Sequence, residues 1–149
     1  MDNRLRQAVI YELEHLSDYK ARLEQLKMDL EDKGPSSDVV LGSSLPGDPT
    51  GSSAINRVEL IQTINNLEIR IKRIEIAVGV LNGVYYDIIN MRYLMCMGYR
   101  DSDVIDRLYM SRRNYYKLRE QALIRLVNII GHKRLLKWSA QNETNLAQI

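Results

Sequence analysis

Residues 101–130 read DSDVIDRLYMSRRNYYKLREQALIRLVNII, and this stretch decides the fold of the C-terminal third. Val104, Ile105 and Leu108 share one face of a short helix over residues 101–108. Tyr109-Met110 is the turn. Ser111 is placed as the N-cap of a second helix, because its hydroxyl can accept from an amide two or three residues on. Tyr115, Leu118, Ala122, Leu123, Leu126 and Ile129–Ile130 then give a helical apolar stripe over residues 112–130, and Gly131 ends it. A short helix, a tight turn and a capped helix with a basic first turn are the parts of a helix-turn-helix. The major groove of DNA admits one helix, whose N-terminal side chains meet base edges and phosphates. Subtracting the apolar positions leaves Arg112, Arg113, Asn114, Tyr116 and Lys117 as the candidate DNA-binding residues. Arg pairs with guanine and Asn with adenine through two hydrogen bonds each, whereas Lys and Tyr more often contact phosphate.

Charge supports the same assignment. The whole chain of 149 residues carries only +2. Residues 1–33 hold 6 basic and 8 acidic side chains and residues 54–83 hold 4 and 3, whereas residues 99–137 hold 10 and 4. The positive excess lies where an anionic partner would bind.

Upstream, the pattern is of long helices. Leu16, Tyr19, Leu23, Leu26 and Leu30 form a heptad seam, with Leu5 and Val9 in phase and Glu12 out of it, which predicts one helix ended by Gly34-Pro35. Residues 34–53 hold all three prolines and four of the eight glycines, and read as a flexible linker. Leu60, Ile64, Leu67, Ile71, Ile74, Val78 and Leu81 form a second seam, widened by Ile61, Ile69 and Ile76. Gly79 and Asn82-Gly83 weaken this helix at its end. A further helix runs over residues 85–94 and closes at Gly98. The expected fold is all-α: a long antiparallel helical hairpin or coiled coil over residues 1–83, a helix-turn-helix bundle over 84–137, and a polar tail over 138–149 that frays. The wide apolar surface of the second long helix is open to a third helix or to a second copy, giving a homodimer.

No apolar run is long enough to span a membrane, and no apolar signal core follows Met1. The lone Cys96 fits a reducing compartment and reads as a small buried apolar residue. These features predict a cytoplasmic protein without a membrane partner. His15 and His132 lie in different modules, and neither a metal-ligand spacing nor a phosphate-binding glycine motif occurs. An enzyme, a metal site and a cofactor are therefore not expected.

The stretch 86–127 also resembles region four of bacterial sigma factors. The resemblance rests on Met91-Arg92-Tyr93, Gly98-Tyr99, the cap Ser111, and Ala122-Leu123-Ile124-Arg125-Leu126. It implies DNA contacts from Arg112, Arg113, Tyr116 and Lys117, and burial of Tyr115 and Leu118. The chain departs from that family at Ile105, where a small residue is usual. It departs again at Tyr109, where a turn-forming residue is common and a bulky side chain with positive φ is costly. The layout, with Ser37-Asp38-Val39-Val40-Leu41-Gly42-Ser43 between the long helices and Tyr109-Met110-Ser111-Arg112-Arg113 before Tyr115-Tyr116, is similar to the ArpU and RinA group of phage and prophage regulators. That resemblance implies activation of late phage genes on double-stranded DNA in a bacterial host, with RNA polymerase as a second partner. Two other classes fit the same parts. One is a ring-forming small terminase that packages DNA. The other is a helical protein-interaction module.

Overall fold

Every described element of the chain is helical. The computed structural model describes the backbone of residues 1–33 and 48–147 and the side chains of residues 1–32 and 57–144. Seven α-helices occur among these residues: α1 (Asn3–Glu14), α2 (Leu16–Lys33), α3 (Asp48–Val80), α4 (Gly83–Ile89), α5 (Asp101–Arg107), α6 (Arg112–Ile130) and α7 (His132–Ala147). A π-helical segment, Asn90–Leu94, continues α4. No described helix is long and apolar enough to cross a membrane.

Three expectations need correction here. The N-terminal helix is not one helix. It breaks at His15, which ends α1 at φ −99 and ψ 5. The His15 ring stacks on Tyr11 with centroids 3.8 Å apart, and its Nδ1 lies 2.8 Å from the Tyr11 carbonyl. Both contacts reward the broken geometry. The expected linker is shorter than residues 34–53, because α3 already begins at Asp48. Pro49 falls in the first turn, where its missing N–H would lack a helical acceptor in any case. The stretch 34–47, with the Ser37–Ser43 element, lies outside the described residues. The end of α3 at Val80 falls where Gly79 and Asn82-Gly83 are expected to weaken it, and the next helix starts at Gly83, whose φ of +56 an L side chain rarely adopts. The polar tail is helical through Ala147, and its Trp138 and Asn142 are buried.

The chain divides into two compact units, Asp18–Lys72 and a second made of Met1–Ser17 with the chain from Arg73 onward. This differs from the boundary expected at residue 83. The physical reason is the face of α1. Leu5, Ala8, Val9, Glu12 and Leu13 recur at helical spacing and are all buried. That face packs against α6 and α7 and against the π segment. Glu12, read from the sequence as a break in the heptad, is 1% exposed and accepts a hydrogen bond from Asn142 Nδ2 at 3.1 Å. A buried carboxylate requires such partners. At the rim, Arg6 donates to both oxygens of Glu120, at 3.1 and 2.7 Å. Val9, Ile74, Ala77, Ile88, Ile89, Leu123, Leu126 and Leu135 complete a core with almost no exposure.

In the unit Asp18–Lys72, Leu23, Ile64 and Ile71 are buried. The Arg70 guanidinium lies 4.7 Å from the centroid of the Tyr19 ring. Leu26 and Asp29 of α2 line one shallow groove with Leu60 and Thr63 of α3. Val58, Ile61 and Ile69 of this unit stay exposed, as do Ile76 and Val80 further along α3.

Leu13 is 1% exposed in a helix that sequence order assigns elsewhere. Replacing it with Ala should destabilise the C-terminal helices by about 2–5 kcal/mol. Chemical denaturation followed at Trp138 checks this, because that residue lies in the same unit.

Candidate nucleic-acid interface

The interface is built on α5 and α6. Their shared core is Val104 and Tyr115 with Ile88 of α4, all fully buried, and Ile105, Leu108, Tyr116 and Leu118 pack around it. The sequence expectation for Tyr115 agrees with this placement. Leu118 is only half-buried, which corrects the expectation of a fully buried residue; it lies at the edge of the cluster. Ile105, where the sigma-like pattern has a small residue, is accommodated at that same edge.

Both ends of α6 follow from side-chain chemistry. The Ser111 hydroxyl accepts from the Asn114 amide at 3.1 Å, an N-cap that satisfies one otherwise unpaired donor. At the other end Gly131 takes φ +109, and Arg134 Nη1 donates to the Ile130 carbonyl at 2.6 Å. The connection before the cap is tight. Met110 N–H donates to the Ile105 carbonyl at 3.1 Å, and Tyr109 takes φ +55.

Asp101, the first residue of α5, holds the arrangement in register. One of its oxygens accepts from the Tyr115 hydroxyl at 2.5 Å and from Arg92 Nε at 3.0 Å. Arg119 Nη1 lies 3.2 Å from both oxygens. One carboxylate thus joins the π segment, α5 and α6. Burial alone would raise the pKa of Asp101. The Tyr115 hydrogen bond and the charges of Arg119 and Arg92 outweigh it and hold the carboxyl below its usual value. For Tyr115, burial and then donation to Asp101 push the phenol well above its ordinary value. Sequence reading singled out Arg92 only within a motif and gave Asp101 and Arg119 no role. The spacing of 18 residues between Asp101 and Arg119 carries no helical signature, so only the packed structure reveals the pair.

The candidate contact residues are sorted by their position around α6. Arg112, Arg113, Asn114 and Lys117 are exposed in its first turns. Tyr116 is not free in the same way. It is half-buried, meets Tyr115 edge-on at 5.2 Å, and has the guanidinium groups of Arg112 and Arg119 at 5.7 and 5.0 Å from its ring. These contacts hold the Tyr116 ring at the base of the exposed cluster. No acidic residue lies in the first turn of α6. Near it, Arg107 covers the Tyr99 ring at 4.4 Å, and Tyr109 is 95% exposed.

Cys96 is exposed, between Met95 and Met97 that are also exposed, which corrects the expectation of a buried residue. The helix ends at Leu94, and Gly98 turns the chain at φ +68, so the three residues sit in a turn outside the core. Among the described residues no group of three or more His, Cys, Asp and Glu is placed to hold a metal ion. Comparisons with protein-family models, with curated proteins and with solved structures find no match.

Asp101→Asn removes the charge to which two arginines are bonded. It should cost about 2 kcal/mol, in the range for hydrogen bonds to charged groups. Because the folded-state pKa of Asp101 is lowered, its contribution is present above the ordinary carboxylate pKa and is lost as pH falls through the folded value. Urea unfolding at a series of pH values from neutral downward should therefore show a smaller acid loss of stability in the variant than in the parent.

Proposed function

We propose that this chain is a DNA-binding transcriptional regulator whose reading element is α6, presented by α5 as a helix-turn-helix. The observation that carries the reading is the exposed set Arg112, Arg113, Asn114 and Lys117 on the first turns of a helix capped at Ser111. These side chains combine bidentate base readers with a phosphate-binding cation, and the helix end that bears them is free to enter a groove. Tyr116 supports them from below and reaches DNA only at the margin of its half-buried ring. The resemblance to sigma region four and to the ArpU and RinA group extends the proposal to promoter DNA, late phage genes in a bacterial cytoplasm, and RNA polymerase as a partner. Small-terminase packaging is the competing reading of the same parts, and it requires a ring.

Purified protein incubated with fragments of its source genome at about 150 mM salt should retain one or a few sites upstream of genes. Retention of packaging-gene fragments by a ring of subunits would favour the terminase reading, and no retention would leave a protein-binding module. Arg113→Ala should weaken binding to the retained site by about 1–3 kcal/mol more than to unrelated DNA. Lys117→Ala should weaken both equally and lower the salt slope by about one. Equal loss on both DNAs for Arg113→Ala would remove its base-reading role.

The exposed face of α3 supports a homodimer through the long helices. In the unit Asp18–Lys72, Val58, Ile61 and Ile69 lie opposite the buried Ile64 and Ile71. A second copy would cover this face by an isologous pairing with Ile69 on the two-fold axis. Ile69→Glu places two carboxylates on the axis and should shift the mass measured by light scattering from dimer to monomer. A parent protein that is monomeric at tens of micromolar would refute this pairing.

A further inference from the structure

Tyr109 is the one described non-glycine residue with positive φ, at +55, and it occupies the turn immediately before the cap of α6. An L side chain in the left-handed region is strained, and glycine or asparagine is the usual solution. Strain of this kind persists where something over-determines it, often at a functional surface. The fold does not supply the compensation. The Tyr109 side chain is 95% exposed, so it contributes almost no buried area. The turn itself is closed by backbone groups, Tyr109 N–H to the Asp106 carbonyl at 3.3 Å and Met110 N–H to the Ile105 carbonyl at 3.1 Å. Neither bond uses the phenol. A large aromatic residue is therefore held, at a cost, where a residue without a side chain would serve the turn better.

Its surroundings indicate what it meets. Two residues further on, Ser111 caps α6, and Arg112 and Arg113 follow, both exposed. We infer that the Tyr109 hydroxyl donates to a phosphate of the DNA backbone at the edge of the groove that α6 enters, and so fixes how deeply and at what angle that helix sits. This rests on the DNA-binding reading of α6. A tyrosine hydroxyl is a common donor to phosphate oxygens, and such contacts set register without selecting bases. The hydroxyl is neutral, so the contact displaces no counterion. That separates it from Lys117, whose charge does.

The test uses the full chain, a fluorescently labelled mixed-sequence duplex, and the variants Tyr109→Phe and Tyr109→Gly. Affinity is measured by anisotropy over a range of salt, and thermal unfolding is measured in parallel. Both variants should bind about 3- to 10-fold more weakly, the range for one neutral hydrogen bond. The slope of log affinity against log salt should match that of the parent. Tyr109→Gly should melt at the same temperature as the parent or higher, since it relieves the strained turn. Binding by either variant as tight as the parent's would overturn the inference, as would a loss of affinity that tracks a fall in melting temperature. If the parent itself fails to bind the duplex, the DNA-binding reading fails and this contact with it. If the parent binds and the variants match it, only the Tyr109 contact is lost.

Discussion

The carboxylate of Asp101 is the constraint on which the C-terminal helices depend. Its three partners come from two other elements: Arg92 from the π segment, and Tyr115 and Arg119 from α6. A partly buried carboxylate is unfavourable unless its oxygens are bonded, so the three donors are needed together. Hydrophobic contact between Val104 and Tyr115 could tolerate some sliding of α5 along α6. A charged acceptor with three fixed donors tolerates far less. The short helix α5, with seven residues, has little stability of its own and takes its position from this network and from the apolar cluster beneath it. The π turn belongs to the same arrangement. It carries Tyr93 into the core while Arg92, its neighbour, reaches Asp101.

Much of this was legible in the sequence where the signal is local. Ser111 before a basic turn and Gly131 after an apolar stripe mark both ends of α6, because caps act within a few residues. The all-helical class follows from heptad spacing in the same way. The remainder depends on contacts distant in sequence. Nothing around Glu12 announces Asn142, so a charge within an apolar face reads as a break in a coiled coil when it is a bonded core residue. That misreading also hides why α1 packs with α6 and α7. The break at His15 rests on one ring stacking and one hydrogen bond, both with Tyr11, and neither has a sequence pattern. Cys96 misled for a different reason. Its neighbours are apolar, but the helix had already ended, and apolar residues in a turn are often exposed.

Around α6 the side chains divide cleanly between structure and surface. Tyr115 and Arg119, one turn apart, point inward to Asp101. Arg113 and Lys117, also one turn apart, point outward. This is the ordinary consequence of a period of 3.6 residues, and it explains why the basic count of the stretch overstates the free charge. Arg119 is consumed by the fold, as Arg92 is. The cations left for a partner are those near the helix start.

That location works against stability in two ways. The N-terminus of a helix carries partial positive charge, so Arg112 and Arg113 there are unfavourable by about 0.3–1 kcal/mol each, and no acidic residue in the first turn offsets them. The left-handed Tyr109 adds strain three residues earlier. Elsewhere the cap at Ser111 is made, the buried Glu12 is paired, and the left-handed turns at residues 83, 98 and 131 are glycines, while the buried Nε of Arg119 lacks a hydrogen-bond partner among the described residues. The strained Tyr109 and the uncompensated Arg112 and Arg113 fall within a few residues at one exposed end of α6. An anionic partner at that end would reverse the sign of the charge penalty, since the same arginines and the same helix dipole then act together on it. On the proposed DNA-binding reading, the unfavourable charge and strain of this corner and its use by a phosphate-bearing partner would be two aspects of one arrangement.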